Sequence, residues 1–104
     1  MNYSKSLPDN NIEIIFSIVE EFTFHCYKNF RESFKMHNTK GTRFIVDFQS
    51  THHIDCSGLG ILLLLKDHAE LCNGDVILRN ALHGNVKKML EIAKFNNIFI
   101  LEKV

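Results

Sequence analysis

The groups whose types and spacing can do chemistry are concentrated in one short segment, Asp55-Cys-Ser-Gly-Leu-Gly60. Ser57 offers a hydroxyl, Cys56 a thiol and Asp55 a carboxylate, while Gly58 and Gly60 let the backbone bend tightly and let another surface come close. An apolar run precedes the segment and a leucine-rich one follows it, so it reads as a strand-to-helix turn. Such turns at the carboxyl edge of an α/β sheet expose unpaired helix N–H groups and a partial positive charge. Those N–H groups can hold a phosphate carried by Ser57. The phosphate would add about −1.5 to −2 charges at one surface point, and a helix start tolerates that charge without unfolding. A partner docking over the neutral turn would meet a hydrated dianion, and losing even ~3 kcal/mol weakens a complex by roughly two powers of ten. The bland alternative is that Asp55 or Ser57 is an ordinary helix N-cap and the glycines merely connect. Spacing alone leaves both readings open.

Other chemistries fit these residues less well. A hydrolase elbow, G-x-S-x-G, needs glycines where this chain has Asp55 and Leu59. Gly58-x-Gly60 lacks the third glycine of a dinucleotide loop, because position 63 is Leu63. His52, His53, Asp55 and Cys56 are all zinc-ligating types. Neighbours in an extended stretch point in different directions, however, and no second ligand pair follows at a helical or knuckle spacing. We therefore expect no enzymatic activity, no cofactor and no metal. His52 and His53 read as loop residues flanking the acceptor, where they help a kinase read the site.

The elements that must position this segment are visible as periodicities. Asn11 to Ile18 is β-rich and partly alternating, a first strand. From Thr23 to about Lys35, Phe24, Tyr27, Phe30 and Phe34 recur at three- and four-residue steps, the stripe of an amphipathic helix. Arg43 to Phe48 is a short apolar run of the kind that fills a central strand. Ile61 to Cys72 favours helix and is stopped by Asn73-Gly74. Asp75 to Arg79 is a strand, Asn85 to Lys94 a helix with Val86, Met89, Leu90 and Ala93 on one side, and Ile98 to Leu101 a last strand. The alternation predicts an α/β sheet with parallel crossovers. Ile61 to Leu65 wrap more than a full helical turn, so some of them are expected to face a partner instead of the core.

Composition bounds the rest. A chain of 104 residues, 45% of them apolar, is one domain with one core; we place a flexible lead-in at 1–10 and the domain at 11–104. Twelve basic residues balance twelve acidic ones, so no whole-molecule field draws the chain to nucleic acid or anionic lipid. Cys26, Cys56 and Cys72 form an odd set without CxxC spacing, which suits a reducing cytoplasm. The N-terminus lacks the apolar centre of a signal peptide. Leu59 to Leu65, broken only by Gly60, is far short of the roughly 20 residues of a membrane helix. Cytoplasmic location without membrane insertion is the expectation.

The run Phe44 to Leu65 resembles the signature of the STAS family, the domain shared by sulfate transporters and anti-sigma-factor antagonists. In that family a strand ending in an acidic residue leads to a D-[ST]-S-G-[LA]-G turn and an apolar helix, and Asp47, Asp55, Ser57, Gly58, Leu59 and Gly60 match those positions. Cys56 departs, standing where many relatives have serine or threonine. Asn73-Gly-Asp-Val-Ile-Leu78 and Phe95-x-x-Ile-Phe99 extend the likeness toward Leu101. The resemblance implies a four- to five-stranded mixed sheet with three to four packed helices. By analogy with the stand-alone antagonists, Ser57 is the phosphorylation site. Asp55, Cys56, Gly58, Leu59, Gly60, Ile61 and His53 form the acceptor site and partner surface. The implied partners are an anti-sigma-type ATP-binding serine kinase and a PP2C-type phosphatase, with the unphosphorylated form binding its target and the phosphorylated form releasing it. Leu62 to Leu65 look most like Gram-negative members tied to biofilm or motility control. The contrasting expectation from the same family is a constitutive subunit of a membrane-associated transport complex, with no phosphate cycle.

Overall fold

The computed structural model describes residues 2–6 and 12–103. Its main sheet has five strands in the order β1-β2-β4-β6-β7. These are β1 (Asn2–Ser6), β2 (Glu13–Ser17), β4 (Arg43–Asp47), β6 (Asp75–Arg79) and β7 (Ile100–Glu102). From β2 to β7 every pairing is parallel, and β1 adds antiparallel to the outer edge of β2. Two further strands, β3 (Glu20–Phe22) and β5 (Thr51–Ile54), pair in parallel as a separate ribbon. Three α-helices complete the described residues: α1 (Tyr27–Lys35), α2 (Cys56–Leu71) and α3 (Gly84–Ile92).

The strands form where apolar residues can be buried on a pleat. The partners Ile14, Phe44 and Val76 line up across the sheet, as do Phe16, Val46 and Leu78, and all six are buried in the core. In the central strand Ile45 is buried as well, which explains an apolar run without alternation. On the face of Phe16 and Val46 the Phe30 ring of α1 stacks on Phe16 at a centroid distance of 4.6 Å and meets Phe22 at 5.1 Å. Fully burying one such ring is worth about 1.5–3 kcal/mol. The α2 side chain His68 lies between Phe34 and Phe44, and its Nε2–H donates to the His37 carbonyl at 2.9 Å.

Several expectations are corrected by the fold. Asn2–Ser6 is a strand and not a frayed lead-in; backbone pairing to the free edge of β2 orders it. Residue 1 and residues 7–10 of that lead-in lie outside the described residues. Phe24 is not on the buried stripe: it sits in a 3-10 turn before α1, is 68% exposed and stacks on Tyr27. His52 and His53 are in β5 and not in a loop. The last strand starts at Ile100, because Phe95–Asn97 forms a 3-10 turn that tucks Phe95 and Phe99 into the core.

Candidate functional site

The turn after β5 is already helical. Asp55, with extended backbone, is the N-cap of α2, and its Oδ1 accepts from the Gly58 amide at 2.9 Å. That bond satisfies one of the orphan donors of the helix start. Of the two capping candidates, Asp55 takes the role. Cys56 and Ser57 are the first and second helical residues, both exposed. The Ser57 hydroxyl makes no hydrogen bond within the described residues.

The glycines differ. Gly58 is buried, and a Cβ there would lie 2.2 Å from the Phe22 carbonyl oxygen and 2.8 Å from Ile54 Cγ1. Its missing side chain lets β3 pass close beneath the helix, so it cannot serve as a surface for a partner, which corrects its place among the docking residues. Gly60 is exposed, with nothing within 4 Å of a would-be Cβ, so it alone leaves room for an approaching surface. Of the following residues Ile61, Leu62 and Leu65 are buried, whereas Leu63 and Leu64 are 42% and 43% exposed. Leu59 is half-buried and packs against the core. Cys26, Cys56 and Cys72 are all free thiols.

Ser57 stands at the lip of an apolar concavity of about 390 Å³ lined also by Phe24, Tyr27, Gly60, Ile61 and Leu64. Phe24 and Tyr27 carry no signal in the motif itself; the tertiary fold brings them beside the turn. His53, exposed, pairs with Glu21 in the β3–β5 ribbon and does not line that concavity.

The turn is held from outside by polar residues beyond the Asp55–Gly60 segment. Asn85 Oδ1 accepts from the Ile54 amide at 2.7 Å. His83 Nε2–H donates to the Phe48 carbonyl at 2.8 Å. Thr51, fully buried, donates its hydroxyl to the Ile18 carbonyl at 2.6 Å. Asp47 Oδ1 accepts from the Gln49 amide at 2.9 Å and from Asn80 Nδ2 at 3.3 Å. The acidic residue at the end of β4 thus ties the loop after β4 to Asn80 and does not line the concavity. Local spacing cannot reveal these ties, since most join residues more than thirty positions apart. Among the described residues no three His, Cys, Asp or Glu side chains converge as metal ligands, and no helix is long and apolar enough to cross a membrane.

A parallel sheet edged by one antiparallel strand, with an acid-capped serine turn opening the central helix, is the architecture of a STAS domain. The chain matches the STAS domain family over residues 5–104 and belongs to it. A STAS-domain containing protein of Pseudomonas aeruginosa (strain UCBPP-PA14) is 33% identical over 87 residues, covering 84% of this chain and 85% of that protein. Two solved structures share the fold. A sulfate transporter family protein from Wolinella succinogenes superposes with a TM-score of 0.76 at 17% identity, covering 94% of this chain and 80% of that one. The anti-sigma factor antagonist SpoIIAA in its unphosphorylated form superposes with a TM-score of 0.65 at 17% identity, covering 96% and 86%.

Proposed function

We propose that this protein is a partner-switching regulator of the anti-sigma-factor-antagonist kind, acting in the cytoplasm and supplying no chemistry of its own. Unphosphorylated, it holds its target; phosphorylated on Ser57 by an ATP-using serine kinase, it lets the target go, and a PP2C-type phosphatase resets it. One observation carries this reading. Ser57 is exposed, its hydroxyl has no hydrogen-bond partner among the described residues, and it stands at the edge of an apolar concavity while Asp55 does the structural work of the turn. A dianion at the second residue of α2 faces the helix N–H groups, so the fold tolerates it. The same dianion beside Leu64 and Phe24 opposes apolar docking.

The likeness to a sulfate transporter family protein favours a second reading, a constitutive subunit of a membrane-associated transport complex. The test incubates the purified protein with ATP and lysate of its own organism and locates phosphate by mass spectrometry. Phosphate on Ser57, absent from Ser57→Ala, supports the switch. A bare Ser57 beside a demonstrably active kinase, with the same partner bound by Ser57→Ala and Ser57→Asp, supports the constitutive subunit.

A further inference from the structure

The concavity at Ser57 does not end at Leu64. A second one, of about 320 Å³, continues from it along the helices, sharing Tyr27 and Leu64 as walls and reaching Leu71, which is 86% exposed. Together they make a trough between α1 and α2 that starts at Ser57 and runs to the end of α2. From Ser57 to Leu71 the helical rise amounts to about 21 Å.

The two lips differ in charge. On α1, Arg31 and Lys35 line the trough, and neither makes an ion pair or hydrogen bond within the described residues. On α2, Asp67 lines it and is likewise without an ion pair, since the nearby Lys66 is engaged by Glu70 at 2.8 Å. An apolar floor between a cationic lip and an anionic one suits an amphipathic helix with an apolar i, i+3/i+4, i+7 stripe. A flat bilayer has no ridge to enter the trough, and a second identical trough is itself concave and leaves the space between them unfilled.

We propose that this trough seats one amphipathic helix of a partner protein, roughly four turns long. Its apolar stripe packs between Phe24 and Leu71, an acidic flank faces Arg31 and Lys35, and a basic residue faces Asp67. The inference rests on the reading of the Ser57 face as the docking face and gives that partner a chemistry. A phosphate on Ser57 then stands at the mouth of the trough, where a hydrated dianion beside Phe24 and Leu64 opposes seating of the apolar stripe.

The probe is a displayed library of random peptides of about 16 residues, panned against the folded protein with Leu64→Glu as counter-selection. Leu64 is a surface residue, and a preserved NMR spectrum establishes that the variant folds. Enriched peptides are expected to carry the apolar stripe with more acidic than basic residues, and a synthetic one to shift amide signals within 24–35 and 57–71. Its binding should fall about tenfold or more in Leu64→Glu and several-fold in Arg31→Glu/Lys35→Glu. A peptide with its acids exchanged for lysine should regain affinity for that double variant. Absence of enrichment, basic or non-helical consensus peptides, or shifts elsewhere would overturn the proposal. So would association of the same residues with phosphatidylserine vesicles, or self-association in sedimentation. Ser57→Asp separates the two readings. Peptide bound equally by Ser57→Asp leaves the trough standing and removes the phosphate control. Phosphate on Ser57 in the lysate assay with no peptide in the trough removes the trough and leaves the switch.

Discussion

Two strand-to-helix connections meet at the hydrogen bond between Asn85 and Ile54, and they use their polar residues in opposite ways. The turn from β5 into α2 is closed by its own Asp55, with Gly58 pressed against the Phe22 carbonyl, and Ser57 is left without a hydrogen-bond partner among the described residues. The connection from β6 into α3 has no side-chain cap. His83, in its N-cap position, reaches back to the Phe48 carbonyl, and Asn85 reaches the Ile54 amide. Its polar groups serve the loop in front of α2 and not their own helix. The contrast separates a support from the surface proposed to work: the support has its polar groups committed across the fold, and the proposed surface keeps one free of partners among the described residues.

The largest test of that contrast lies between the two glycines of the first turn. Gly58→Ala must find room for a Cβ 2.2 Å from a backbone oxygen and is expected to cost about 3 kcal/mol in urea unfolding, the upper range for overpacking. Gly60→Ala meets nothing within 4 Å and should instead gain up to about 1 kcal/mol of helix propensity. Equal losses in both would erase the distinction. Next comes Asn85→Ala, which strips a half-buried amide of its acceptor; about 2 kcal/mol and faster hydrogen exchange at Ile54 are expected. Unchanged exchange there would show that α3 does not support the turn.

Asp55→Ala should cost about 1 kcal/mol, and Asp55→Ser should restore most of it, as a cap requires. The smallest effect is the sharpest for function. Ser57→Ala is expected to change stability by less than about 0.5 kcal/mol, in the range of a surface substitution. A larger loss by calorimetry would mean that the hydroxyl is structurally engaged after all.

Much of this was legible in local pattern. The apolar run of β4, the Asp75–Arg79 strand and the stripe that buries Val86 and Leu90 follow from period and burial. The start of α2 was not legible: two glycines and an acid read as a connection before Ile61, yet the helix begins at Cys56 because the capping bond from Asp55 and the close approach to Phe22 organise the turn. The β3–β5 ribbon escaped for a different reason. Its three- and four-residue strands carry mostly polar side chains, and what orders them is pairing across some thirty residues and the Thr51 hydroxyl on Ile18.

The sequence by itself determined the alternating α/β order, the family signature from Asp47 to Gly60 and the position of the serine within it, because periodicity and turn chemistry are local properties. Only the tertiary structure decided which residue caps and which stays free, that Gly58 belongs to the interior and Gly60 to the surface, and that Phe24, Tyr27 and Leu64 share one trough with Ser57. Those outcomes depend on which distant segments are packed against the turn, and the spacing of residues along the chain does not encode that contact.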